Sequence, residues 1–118
     1  MKILIVDDED INVVLLKVLL NKIGDIQLTV VNNGKDAVDI CKDHYFNVIL
    51  MDIRMPIMDG YEATKTIKKI RKNIPIVAVT TFPFDFIDKD YKEAGFDHYI
   101  QKPVKVDTLK KYLESIKN

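Results

Sequence analysis

The sequence predicts an α/β fold, a doubly wound parallel sheet built from five βα units. Three observations predict it. Short apolar runs recur at residues 3–6, 28–31, 48–51, 76–79 and, more weakly, 98–101. Segments with apolar residues at helical spacing lie between and after them. The two patterns alternate throughout. Strict alternation places helices on both faces of a parallel sheet, joined by right-handed crossovers.

The elements follow in order. The first run, Ile3-Leu4-Ile5-Val6, is continuous and rich in β-branched residues, as are the third and fourth. Such runs suit strands buried on both faces. Ile11, Val14, Leu15, Val18 and Leu19 follow helical spacing, and Gly24 is a natural stop. After the second run, Ala37, Val38, Ile40 and Cys41 form another helical apolar face. After the third, Tyr61, Thr64, Ile67 and Ile70 do the same, leaving Lys65, Lys68, Lys69 and Lys72 for solvent. A short fourth helix is expected from Phe86 or Ile87 to Ala94, ended by Gly95. Val106, Leu109, Tyr112, Leu113 and Ile116 give a fifth.

The 118 residues fit one domain, 1–118, with one core. Hydrophobic residues make up 47% of the chain, too many for a disordered segment. Eighteen basic residues balance eighteen acidic ones, so no overall field favours nucleic acid or an anionic membrane. The single cysteine, Cys41, cannot form an internal disulfide. The first apolar run is too short for a signal peptide and ends in Asp7-Asp8-Glu9-Asp10. No stretch approaches the roughly 20 apolar residues a membrane helix needs. The expectation is a cytoplasmic domain without membrane insertion.

Function is sought where the strands end, because ligands of an open parallel sheet bind beyond its carboxyl edge. The first strand exits into Asp7 and Asp8, the third into Asp52, the fourth into Thr80 and Thr81, and the fifth into Lys102 and Pro103. If the first and third strands are neighbours, the carboxylates converge. Three carboxylates together repel and need a cation. All-oxygen ligation suits Mg²⁺, which takes one or two carboxylates plus a phosphate oxygen. A carboxylate can attack phosphorus to form an aspartyl-phosphate. A hydroxyl and an ammonium can hold the remaining phosphoryl oxygens. Taken singly each residue has a bland reading: Asp7-Asp8, Glu9 or Asp10 as helix caps, Asp52 as a turn residue, Lys102 as a solvated side chain. The coincidence at four strand exits favours the joint chemistry.

These segments resemble the receiver domains of two-component response regulators, the CheY-like group, over essentially the whole chain. The similar segments are Ile3-Leu4-Ile5-Val6-Asp7-Asp8, Met51-Asp52-Ile53-Arg54-Met55-Pro56-Ile57-Met58-Asp59-Gly60, Pro75-Ile76-Val77-Ala78-Val79-Thr80 and Gln101-Lys102-Pro103. The resemblance implies a flavodoxin-like sheet of order 2-1-3-4-5. It implies that Asp52 is the phosphoacceptor, and that Asp7, Asp8, Asp52 and the backbone carbonyl of Arg54 hold Mg²⁺. Thr80 and Lys102 would bind the phosphoryl group. Thr80 and Tyr99 would form the switch, Tyr99 turning inward as Thr80 moves toward the phosphoryl group. That couples the site to the face of helix four, strand five and helix five. A cis peptide bond is expected between Lys102 and Pro103. The implied donor is a phosphohistidine on a histidine kinase or histidine phosphotransfer domain. The chain then acts as a switch that catalyses its own phosphotransfer and autodephosphorylation, not as an enzyme acting on a separate substrate.

Some positions depart from the family pattern. Thr81 is β-branched where small residues are usual, and Phe82 is bulky where polar residues are common. Arg54, Thr81 and Phe82 are the positions expected to tune water attack on the aspartyl-phosphate, and they imply a long-lived phosphorylated state. Phe82-Pro83-Phe84-Asp85-Phe86 is an aromatic loop, expected to tuck partly beneath helix four; the alternative is a docking or dimer surface, including a phosphorylation-dependent dimer. His44 and His98 lack metal-ligand company, and Cys41 is expected to pack on the sheet.

An aspartate-dependent hydrolase would want a second acid two residues after the nucleophile, where Arg54 stands. A binding module that had lost phosphorylation need not keep Asp7, Asp8, Asp52, Thr80 and Lys102. No glycine-rich loop follows the first strand, which excludes a P-loop, and no DNA-binding motif accompanies the lysines of helix three. Asp8-Glu9-Asp10-Ile11-Asn12 looks most like receivers of hybrid kinases. With no output domain after the fifth helix, the expected contexts are a stand-alone receiver or a piece of a hybrid kinase. Cognate kinase, input and downstream target are not readable.

Overall fold

The computed structural model describes residues 1–117. They form β1 (Lys2–Val6), α1 (Asp10–Ile23), β2 (Gln27–Val31), α2 (Gly34–Asp43), β3 (Val48–Met51), α3 (Gly60–Ile70), β4 (Ile76–Thr80), α4 (Phe84–Ala94), β5 (His98–Gln101) and α5 (Val106–Ser115). The strands make one parallel sheet of order β2-β1-β3-β4-β5. β3 and β4 are buried throughout, and so is β1 beyond Lys2, which is why their sequences carry no polar alternation. Alternate side chains feed two cores. Leu4, Val6, Ile49, Met51, Ile76 and Ala78 meet Ala37, Cys41, Ala63, Ile67 and Ile87 from α2, α3 and α4. Ile3, Ile5, Val48, Leu50, Val77 and Val79 meet Val13, Leu16, Leu20, Leu109 and Leu113 from α1 and α5. Each large apolar side chain so buried contributes about 1.5–3 kcal/mol.

Local chemistry places the helix starts. Asn33 caps α2 by accepting from Asp36 N–H at 2.8 Å, and Asp59 caps α3 by accepting from Glu62 N–H at 2.9 Å. Gly95, at φ 94, ends α4. Three expectations are corrected. α1 turns a different face inward: Val13, Leu16 and Leu20 are buried, while Ile11, Val14, Leu15 and Val18 stand out into solvent. Both sets fit helical spacing, so periodicity alone could not choose between them. α4 begins earlier than expected, at Phe84, with Pro83 at its N-cap, so much of the aromatic loop is helix. Phe82 packs against the core, whereas Phe86 is exposed. Finally, Lys68 is not simply solvated. It bonds Asp97 at 2.6 Å and the Ile74 carbonyl at 2.9 Å, fastening α3 to the entry of β5.

Candidate functional site

The pairing of β1 with β3 builds the site. Val6 lies opposite Met51, so the chains leave the sheet side by side at Asp7 and Asp52. The ladder runs one step further, with Asp52 N–H donating to the Val6 carbonyl at 2.9 Å. On the other flank Asp7 N–H donates to the Val31 carbonyl at 3.2 Å. Asp7 and Asp52 are thereby buried at a dry sheet edge, while Asp8 remains exposed. Asp7, Asp8 and Asp52 each bring a carboxylate oxygen within 4.8 Å of the others.

Asp7 takes part of the capping role considered for it and for Asp8, Glu9 and Asp10. Its Oδ1 accepts from Glu9 N–H at 3.0 Å, whereas Glu9 at the N-cap of α1 makes no side-chain cap. Its Oδ2 accepts from Lys102 Nζ at 3.1 Å. Lys102 lies 3.6 Å from Asp52 Oδ1 as well, so one ammonium serves two buried carboxylates. Asp52 Oδ1 further accepts from Ile53 N–H at 2.9 Å. Burial, and then the charge of Asp7, push the Asp52 carboxyl up to about 6 despite the help of Lys102 and Ile53 N–H.

The third wall is the β4–α4 connection. Thr80 is buried, and its Oγ1 accepts from Phe82 N–H at 3.1 Å. Tyr99 on β5 donates its hydroxyl to the Phe82 carbonyl, and its ring meets Phe84 edge-on at 5.2 Å. Thr80 and Tyr99 thus bind the two backbone ends of one residue. The Arg54 guanidinium lies over the Phe82 ring at 5.4 Å, bridging the β3–α3 and β4–α4 loops across the mouth of the site. Thr81 is exposed beside them. The Lys102–Pro103 peptide bond is cis. Ile57, at φ 73 and exposed, gives the β3–α3 loop a conformation that β-branched residues rarely adopt.

The donor set is three carboxylates, hard oxygen ligands that fit Mg²⁺ and offer nothing to a soft metal. The Lys102 ammonium stands beside two of these carboxylates, and Thr80 is buried at the exit of the neighbouring strand β4. The response regulator receiver domain family matches residues 3–114. The chain belongs to that family. Two-component response regulator 24 of Arabidopsis thaliana is 38% identical over 96% of this receiver and 81% of its own length. Sensor histidine kinase RcsC of Escherichia coli is 34% identical over 96% of this receiver, which spans 12% of that kinase. The receiver domain of sensor histidine kinase PA1611 from Pseudomonas aeruginosa superposes with a TM-score of 0.91 at 31% identity, covering 99% of this chain and 98% of that one; it holds a magnesium ion in its active-site cleft. Receiver domains act as phosphoryl-transfer switches.

Sequence reasoning overlooked two features of this receiver. One is Gln101, whose side chain reaches the Thr81 carbonyl at 3.1 Å. Its position beside Lys102 was the only signal in the sequence. The other is the outward apolar stripe of α1. Its Leu15 and Val18, with Leu19 and Val104, wall a cleft of about 450 Å³ that ends at Thr81 and Lys102.

Proposed function

We propose that Asp52 of this receiver accepts a phosphoryl group from the phosphohistidine of a histidine kinase or histidine phosphotransfer domain. The observation that carries the reading is the β1–β3 register, which sets Asp52 beside Asp7 and against Lys102. An Asp52 carboxylate oxygen attacks phosphorus as the bond to the histidine nitrogen breaks; the new P–O bond is an acyl phosphate, and the imidazole leaves neutral after taking up a proton. Oδ2 is the oxygen without a protein donor among the described residues, which suits it for attack. Asp7, Asp8, Asp52 and the Arg54 carbonyl would hold Mg²⁺, which when bound offsets phosphoryl charge. Lys102 can exchange its bond to Asp7 for one to a phosphoryl oxygen, and Thr80 can donate its hydroxyl hydrogen to another.

Regulation follows from the same groups. When Thr80 turns to the phosphoryl group it disturbs Phe82, and Tyr99 senses this through the Phe82 carbonyl. The change reaches the face of α4, β5 and α5, where a downstream protein or a second copy would bind. Water must pass Arg54, Thr81 and Phe82 to hydrolyse the acyl phosphate. The guanidinium–ring contact narrows that route and supports a slow autodephosphorylation. Residues 1–118 act as one receiver unit in the cytoplasm, a switch that promotes its own phosphorylation and dephosphorylation.

A protein donor needs a docking surface beside Asp52. Ile11, Val14, Leu15 and Val18 form such a surface, apolar, exposed and on one stripe of α1. A helix carrying the phosphohistidine is the natural occupant, since the adjoining cleft leads to Lys102. Leu15→Glu is expected to slow transfer from a phosphorylated phosphotransfer domain at least tenfold. Labelling by acetyl phosphate, which needs no docking, should stay within twofold, and equal losses with both donors would remove this surface from the reading. The direct test of the function is incubation with Mg²⁺ and acetyl phosphate, followed by intact mass and peptide mapping. One phosphoryl adduct on Asp52 is expected, absent without Mg²⁺; an adduct that persists in Asp52→Asn would overturn the site.

A further inference from the structure

The aromatic run that follows β4 leaves one ring without a role. Phe82 packs against the core and Phe84 meets Tyr91 and Tyr99, but Phe86 is 78% exposed. Its backbone is nonetheless fixed. It stands in the first turn of α4, and its N–H donates to the Pro83 carbonyl at 3.0 Å.

Phe86 borders a cavity of about 290 Å³ between the start of α3 and the start of α4. The buried Ile53 and Ile87 line it, and three aromatic side chains reach it: Tyr61, Phe82 and Phe86. The Phe82 ring already carries a cation, the Arg54 guanidinium at 5.4 Å. The other two rings are free to receive one. Tyr61 is steadied by an edge-on contact with Phe96 at 6.2 Å.

The charges here do not balance. Asp59 lines the cavity. Burial, and then the charges of Asp90 and Asp59, push the Tyr61 hydroxyl above its ordinary range, so both carboxylates lie near this ring. Neither joins any ion pair among the described residues. Arg54 is the one cation in the lining; Lys65 and Lys89 are exposed and form no part of it. Two carboxylates thus face one cation, and a single further cation restores neutrality. Free aromatic faces beside unpaired carboxylates favour such a guest. A guanidinium suits them better than an ammonium, because it is planar, stacks on rings and pairs with a carboxylate through two N–H groups. An anion would meet net negative charge, and an apolar side chain would leave both carboxylates unanswered.

We infer that this cavity is a docking site for an arginine side chain of a partner protein, received between Tyr61 and Phe86 and beside Asp59 and Asp90. None of these four residues has a part in the phosphoryl transfer proposed above, so the site stands or falls independently of it.

The test is an NMR titration of the isotope-labelled full chain with N-acetylarginine amide. Mg²⁺ is present, so that the cluster of Asp7, Asp8 and Asp52 is not the target. Saturable shifts are expected at Tyr61, Phe86 and Ile87, with a dissociation constant on the order of 1–10 mM, as suits one side chain at an open site. Phe86→Ala should weaken binding about fivefold, and Asp90→Asn about threefold. Both side chains are exposed, so both variants should melt with the wild type. N-acetylcitrulline amide, which has nearly the same shape without the charge, should give no saturable shift. Equal binding by Phe86→Ala would overturn the site, as would equal binding of the citrulline probe, which would make it an apolar cleft only. Shifts confined to the neighbours of Asp7, Asp8 and Asp52, or none at all, would do the same. Concentration-dependent broadening without any probe, lost in Phe86→Ala, would assign the surface to a second copy of the chain and overturn the arginine partner.

Discussion

Asp52→Asn is expected to be more stable than the wild type when both are free of divalent metal at pH 8, with a melting temperature several degrees higher. The wild-type carboxyl must ionise at a buried position beside Asp7, which lifts it from an ordinary 3.8 to about 6. A folded-state value above the unfolded one means that the folded protein binds the proton more tightly. Well below pH 3.8 the group is neutral in both states and imposes no penalty. Stability is then lost as the pH rises through the interval from 3.8 to about 6, and above that the loss is constant. Allowing for solvent screening, the cost is on the order of 2 kcal/mol. An amide at this position escapes it. Asn can still accept the Ile53 N–H, and Lys102 keeps its 3.1 Å bond to Asp7.

Two further measurements bracket this result. The difference between the proteins should be mostly gone near pH 4. Added Mg²⁺ should reverse the order, because a ligand that binds only the folded state stabilises it by about 2.7 kcal/mol at a hundredfold excess over its dissociation constant. The variant, with one ligand fewer, should gain much less. Thermal melts in chelator and in Mg²⁺ across pH 4–8 read all of this. A variant less stable than wild type in chelator at pH 8 would contradict the electrostatic account of the site.

Gly60→Ala is expected to cost more than about 3 kcal/mol, beyond the usual range for an overpacked methyl group. A Cβ at Gly60 would lie 2.1 Å from the Asp52 carbonyl oxygen, 2.9 Å from Ile53 Cα and 3.0 Å from the Asp52 carbonyl carbon. All three are backbone atoms, so no side chain can swing aside. The first residue of α3 would have to retreat, breaking the 2.8 Å bond from Gly60 N–H to the Ile53 carbonyl. That bond closes the loop that follows Asp52 and carries Arg54 and Ile57. Any folded fraction should also be labelled by acetyl phosphate more slowly, because displacing a reacting group by about 1 Å can cost a hundredfold. Gly24→Ala is the control. At φ 144 and ψ −150 its backbone lies in a region essentially reserved for glycine, but nothing lies within 4 Å of the added carbon, so strain alone should cost about 1–3 kcal/mol. Denaturant melts compare the two, and a Gly60→Ala loss below that of Gly24→Ala would refute the steric account.

Asp52 and Gly60 are both legible in the sequence, to different depths. Asp52 stands out because strand exits at Asp7, Asp8, Thr80 and Lys102 supply complementary chemistry. Gly60 is visible as part of the segment after Asp52, but its contact with the Asp52 carbonyl is not, since a close approach between backbone atoms leaves no trace in side-chain pattern. α1 shows a firmer limit. Its sequence is apolar around most of the helix, so Ile11, Val14, Leu15 and Val18 fit an inward face as well as Val13, Leu16 and Leu20 do. Only docking on the sheet breaks that tie.

Residue pattern alone thus determined the alternation of strands and helices, the burial of β1, β3 and β4, and the residue types gathered at one sheet edge. These follow from local periodicity and from where apolar runs stop. Tertiary structure decided what depends on neighbours: that β1 lies beside β3 and sets Asp7 level with Asp52, that burial there lifts the Asp52 carboxyl, which way α1 faces, and that Gln101 grips the Thr81 carbonyl. Strand order, desolvation and a side chain crossing to another loop are relations between distant segments, and a local pattern does not encode them.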